Sequence, residues 1–108
     1  MSVKDDLIAA RALIDTPEKW GKGMPSYERS YTADPDGPIC AVGACNVQSF
    51  RARTDGETYN ARLYILLVDT LHDALPDGQL SIPGFNDADA TTHADIMALF
   101  DRAIEAAK

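Results

Sequence analysis

The stretch NARLYILLVDTLHDALPDG, residues 60–78, most constrains how this chain can fold. Its apolar residues Leu63, Leu66, Leu67, Leu71, Ala74 and Leu75 recur at intervals that place them on one helical face. The pattern stops at Pro76-Asp77-Gly78, which is turn chemistry. A long helix is therefore predicted over about residues 57–75, and its apolar face needs partners. The end of the chain supplies one, because Ile96, Leu99, Phe100, Ala103, Ile104 and Ala107 form a second stripe over about 92–107. Leu7, Ala10, Leu13 and Ile14 form a third over about 3–14. Strand signals are poor, since QLSIPGF is short and broken by Pro83. The reading is all-α: a small single-core bundle of about four helices, one domain over 1–108.

Helix-start signals agree with the stripes. Ser2 with Asp5, Thr16 with Pro17, Thr54 with Glu57, and Thr92 with Asp95 each match N-cap or capping-box chemistry. Thr92 is expected to accept from the Asp95 N–H while Asp95 answers the Thr92 N–H. Residues 40–50 are Ala-rich and read as a fourth helix, which Gly43 weakens by about 1 kcal/mol relative to Ala. Two connections remain. Residues 21–39 form a long Gly/Pro-rich loop, within which Asp34-Pro35-Asp36-Gly37 has type I turn chemistry and Tyr27 and Tyr31 call for some packing. Residues 76–91 carry Leu80, Ile82 and Phe85, so this segment is expected to lie across the core.

Size and charge narrow the function. A chain of 108 residues can bury one core without disulfides or metal. Its formal charge of -7 argues against nucleic-acid and anionic-membrane partners, which call for a basic face. Arg51 and Arg53 are the one local basic pair noted, and two arginines are little support. No stretch approaches the roughly 20 apolar residues that span a bilayer. The opening MSVKDDLIAAR has acids where a signal peptide has bases, so a cytoplasmic protein with reduced thiols is expected.

Both cysteines lie in PICAVGAC, residues 38–45. Five residues apart on a helix, their Cα atoms would be roughly 8–9 Å apart and on different faces. A disulfide needs less than about 7 Å, and metal ligands on one helix want a spacing of three or four. Cys40 and Cys45 are thus expected to stay unlinked, with Cys45 a small buried residue. Cys40 follows Pro38 at a helix start, where unpaired N–H groups can lower a thiol pKa. His93 would open the helix after the Thr92 cap, where the positive helix end favours the neutral ring that a general base needs. Asn86 or Asp87 could orient it, completing a Cys–His–Asn/Asp set. The plainer reading makes His93 an exposed first-turn or loop-capping residue. His72 reads as a surface or boundary residue.

Other constellations fail. GKG at 21–23 lacks the phosphate-loop spacing, and there is no HExxH, EF-hand loop or GxSxG. Asp87, Asp89, His93 and Asp95 could at most hold a cation weakly beside a helix end that repels it, so no metal and no cofactor are assigned. Trp20 is expected to cover the end of the first helices, with ligand stacking as its functional alternative.

AARALIDTPEKWGKG, CAVGA and FNDADATTHADIMALFDRAI occur here in that order. The chain resembles a family of small bacterial and phage proteins with no assigned function. The resemblance spans nearly the whole chain and carries Trp20, Cys40, Gly43, Ala44, Asn86, Asp87, Thr92 and His93. It implies a helical fold and no mechanism. The second cysteine, and NVQSF where a leucine-rich run is expected, depart from the pattern. The leading function is then a non-enzymatic accessory or regulatory protein that binds another protein, with Trp20 and Phe85 as candidate contacts. The rival is a small cysteine hydrolase or transferase using Cys40 and His93, with Asn86 and Asp87. A small-ligand pocket near Trp20 and the 76–91 segment is a third possibility. A Cys40 sulfur within about 4 Å of a His93 nitrogen would favour the enzyme.

Overall fold

The computed structural model describes residues 2–23, 32–53 and 59–107. Five helices occur among them: α1 (Val3–Ala12), α2 (Ala41–Arg51), α3 (Ala61–Asp73), α4 (Ile82–Asp87) and α5 (His93–Ala106). The protein is an all-α bundle, and no strand occurs among the described residues. A single parallel bridge, Trp20 to Ile39, draws the two sides of the 21–39 loop together. The Gly21 N–H donates to the Ile39 carbonyl and the Ile39 N–H to the Lys19 carbonyl, both at 3.0 Å.

α2 is the axis of the fold. Every residue from Ala41 to Ser49 is buried, with α1, α3 and α4 packed around it. Small residues at Ala41, Gly43, Ala44 and Cys45 permit that close approach. The departure NVQSF is accommodated because its polar groups are paired. Tyr59 Oη donates to Asn46 Oδ1 at 2.7 Å, Gln48 Nε2 to Asp6 Oδ1 at 2.9 Å, and Ser49 Oγ to the Cys45 carbonyl at 2.8 Å. Buried polar side chains are tolerated when they are satisfied in this way. The rest of the core comes from the predicted stripes: Leu7, Ala10 and Ile14, then Leu63, Leu67 and Leu71, then Ile96, Leu99, Phe100 and Ala103.

The caps form largely as predicted. Ser2 Oγ accepts from the Asp5 N–H. Thr92 Oγ1 accepts from the Asp95 N–H at 3.2 Å while the Thr92 N–H donates to Asp95 Oδ2 at 2.9 Å. Thr16 is a correction. Only a single 3-10 turn, Pro17–Lys19, follows it, and its hydroxyl makes no cap bond, because the chain turns extended again at Trp20. The Thr54–Glu57 box and the packing of Tyr27 and Tyr31 fall outside the described residues.

Two apolar expectations also change. Leu66 is 44% exposed rather than part of the buried stripe, because α3 turns the 63/67/71 line inward and leaves 65 and 66 outside. Leu80 is 89% exposed, so only Ile82 and Phe85 bring the 76–91 segment onto the core. That segment contains helix α4. Ser81 caps it by accepting from the Gly84 N–H, and Pro83 lies in its first turn, where a missing N–H costs nothing.

Candidate functional site

The residues singled out in the sequence converge on one corner of the molecule, where the C-terminal end of α4 meets the N-terminal end of α2 and residues 20–23. Asn86 is at its centre and is buried. Its Oδ1 accepts from Trp20 Nε1 at 2.7 Å and from the Ala41 N–H at 3.0 Å. Its Nδ2 donates to the Gly21 carbonyl at 3.1 Å and to Asp87 Oδ1 at 2.9 Å. Two acceptor and two donor sites are all that an amide side chain has, so Asn86 is fully used. Asp87 Oδ1 also accepts from the Gly23 N–H at 3.0 Å, and Lys22 Nζ donates to the Ala88 carbonyl at 2.7 Å. Residues 20–23 are thus sewn to α4 and to the bend that follows it.

Cys40 is the N-cap of α2. Its Sγ accepts from the Gly43 N–H at 3.3 Å, the place a serine or aspartate oxygen usually fills. The thiol is 7% exposed. Burial raises its pKa, and the Asp87 charge adds to the rise against the opposing pull of the Gly43 N–H. The expected lowering by the helix end is therefore overturned, because desolvation of a thiolate outweighs one weak sulfur bond. Cys45, five residues further on, is fully buried and its pKa is also raised by burial. Both cysteines are free thiols.

His93 opens α5 as expected and is half-buried. Its Nε2 lies 2.7 Å from the Ile14 carbonyl. A carbonyl only accepts, so Nε2 carries the ring proton and is spoken for. The His93 ring also lies 6.1 Å from the Trp20 ring, tilted by 54°. Among the described residues no hydrogen bond joins His93 to Cys40. Phe85, one residue before Asn86, is buried in the core, and Trp20 is half-buried with its indole N–H engaged. His72 is exposed, its Nε2 3.2 Å from the Leu80 carbonyl. No group of three potential metal ligands is present among the described residues.

Two features carry weight that sequence patterns did not assign. Asp6 and Gln48 form a buried polar pair between α1 and α2, hidden in the sequence because each reads as an ordinary surface residue. Ile65 and Leu66 stand exposed side by side on α3. The polar letters NVQS inside a helix with no solvent face were the available signal for the first, and the run YILLV was the signal for the second.

The fold and this corner define a small helical protein in which the chemically versatile side chains close a structural clasp. The chain belongs to the Family of unknown function (DUF6197), which matches residues 1–106. Comparison with curated proteins and with solved structures returned no match. No helix among the described residues is long and apolar enough to cross a membrane.

Proposed function

We propose that this protein is a cytoplasmic, non-enzymatic accessory or regulatory protein that works by binding another protein. The observation that carries the reading is the engagement of Cys40 and His93. One caps a helix as a buried thiol with a raised pKa, and the other gives its Nε2 proton to a backbone carbonyl. A cysteine nucleophile needs the thiolate and a base within hydrogen-bond reach; burial disfavours the Cys40 thiolate, and among the described residues no hydrogen bond joins His93 to Cys40. On this reading Trp20, Cys40, Asn86, Asp87, Thr92 and His93 are the family's shared motif because together they hold the fold. The same motif set would mark its bacterial and phage members. Partner contact then shifts from Trp20 and Phe85 to the outer side of α3, where Ile65 is 57% exposed next to Leu66, with Ile8 exposed on the adjoining α1. Exposed isoleucine and leucine together on a small acidic domain favour a protein partner over a charged ligand.

Two measurements test it. Iodoacetamide should label Cys40 of the native protein only at the rate of transient opening, and rapid saturable labelling would restore the cysteine-hydrolase reading. Photo-crosslinking in the native host should trap the same partner with wild type and Cys40→Ser. The Ile65→Arg/Leu66→Arg double variant should lose that partner while keeping its helical circular dichroism. Retention of the partner by the double variant would refute this face as the contact.

A further inference from the structure

Asp6 lies in the first turn of α1 and is 5% exposed, yet it forms no ion pair among the described residues. One hydrogen bond reaches its carboxylate, from Gln48 Nε2 to Oδ1 at 2.9 Å. Oδ2 accepts no bond among the described residues, and it is not sealed from solvent. Asp6 lines a cavity of about 350 Å³ between the N-terminal ends of α1 and α3 and the C-terminal end of α2. Val3, Ala52, Leu63 and Leu66 give that cavity apolar walls, and Arg62 also lines it. Asp6 therefore presents an unpaired carboxylate oxygen at this cavity.

We propose that this cavity binds a primary ammonium group carried on a short hydrocarbon arm. Asp6 Oδ2 accepts from the ammonium, and Val3, Leu63 and Leu66 cover the methylenes. Three features select that chemistry. With Oδ1 held by Gln48, a single oxygen remains, which suits the point charge of an ammonium and not the two-pronged fork of a guanidinium. The apolar walls favour an arm over a bare ion. Arg62 is exposed and forms no ion pair among the described residues, so it places a positive charge at the same cavity and disfavours a second cation on the ligand. The volume is at the lower end of ligand-site sizes, as a lysine-length arm requires. A lysine side chain of a polypeptide and a free alkylamine share this chemistry. The site stands independently of the protein-binding face proposed above, although Leu66 belongs to both.

Amide chemical shifts of the full chain, followed during titration with n-butylammonium chloride, test the site. Saturable shifts are expected at Asp6, Leu63 and Leu66, with weaker binding of n-butylguanidinium and n-butanol. Asp6→Asn retains the acceptor for Gln48 and should weaken n-butylammonium binding by about tenfold or more, the worth of one charged hydrogen bond. Nα-acetyl-lysine N-methylamide separates the sources: tighter binding than n-butylammonium indicates a polypeptide lysine, and weaker binding indicates a free amine. Unsaturable shifts, equal binding of n-butanol, or an unchanged Asp6→Asn would overturn the proposal. Should Asp6→Asn fail to fold, the exposed Arg62→Glu provides the second test. It should tighten n-butylammonium binding and admit 1,4-diaminobutane, and no change in either would equally overturn the site.

Discussion

At the scale of single residues, Asn86 and the two thiols have consequences that differ in kind. Asn86→Ala leaves the Trp20 N–H, the Ala41 N–H and the Gly21 carbonyl without their partner. At about 1–3 kcal/mol for each polar group left unsatisfied, and with Trp20 and Gly21 only half-buried, a loss of about 3–5 kcal/mol is expected in urea denaturation. Asn86→Asp keeps the two acceptor bonds but loses the donor to Gly21 and sets a charge beside Asp87, so it should also destabilise. The thiols respond to pH. Each has a folded-state pKa raised above the ordinary value of 9.0. A raised pKa means that the folded state holds the proton more tightly. The stability it confers is fully present below pH 9.0 and is lost as pH rises above that value towards the folded-state pKa. Unfolding free energy should therefore fall above pH 9.0 by up to about 1.4 kcal/mol per pH unit for each thiol. Replacing Cys45 by Ala should flatten that slope, which denaturation curves between neutral and alkaline pH would reveal.

At the scale of elements, the caps and stripes were readable because they are local. A capping box is written within four residues, and an amphipathic stripe repeats within one helix, so Thr92 with Asp95 and the three apolar faces needed no tertiary knowledge. The misjudged elements lacked a local cause. Thr16-Pro17 carries a complete start signal, but the pull of Ile39 on residues 19–21 ends the helix after one 3-10 turn. Helix α4 is the reverse case. It is only six residues long and contains both Pro83 and Gly84, and it persists because Ile82 and Phe85 are buried and Ser81 caps it. Tertiary burial outweighs propensity there. Phe85→Ala should accordingly cost about 3–5 kcal/mol, as truncation of a buried phenylalanine does. Thr92→Ala should cost about 1 kcal/mol. Thermal unfolding of the two variants checks the ratio, and an unchanged midpoint for Phe85→Ala would mean that α4 is not anchored in the core.

At the scale of the whole molecule, charge works against the folded state. The formal charge is -7, and the ion pairs Arg11–Asp101 and Lys19–Asp15 lie at the surface. Exposed pairs contribute little, whereas the excess acids repel one another more strongly once the chain is compact. Raising sodium chloride from low to physiological strength should therefore raise the melting temperature, and a fall would show that attractive pairs dominate. The candidate site was legible in its membership and not in its logic. Trp20, Cys40, Asn86, Asp87 and His93 stand out as residue types, but their roles depend on which backbone groups they meet across long separations. Asp6 with Gln48 was invisible for the same reason. Those separations also bear on synthesis. Asn86 is 66 residues beyond Trp20, and His93 is 79 beyond Ile14. At about 5–20 residues per second, a ribosome needs roughly 3–13 s to pass from one end of the Trp20–Asn86 bond to the other. The nascent chain must keep its indole and the Gly21 carbonyl in waiting for that interval. The corner that fastens residues 20–23 to α4 thus cannot form until translation has passed Asn86.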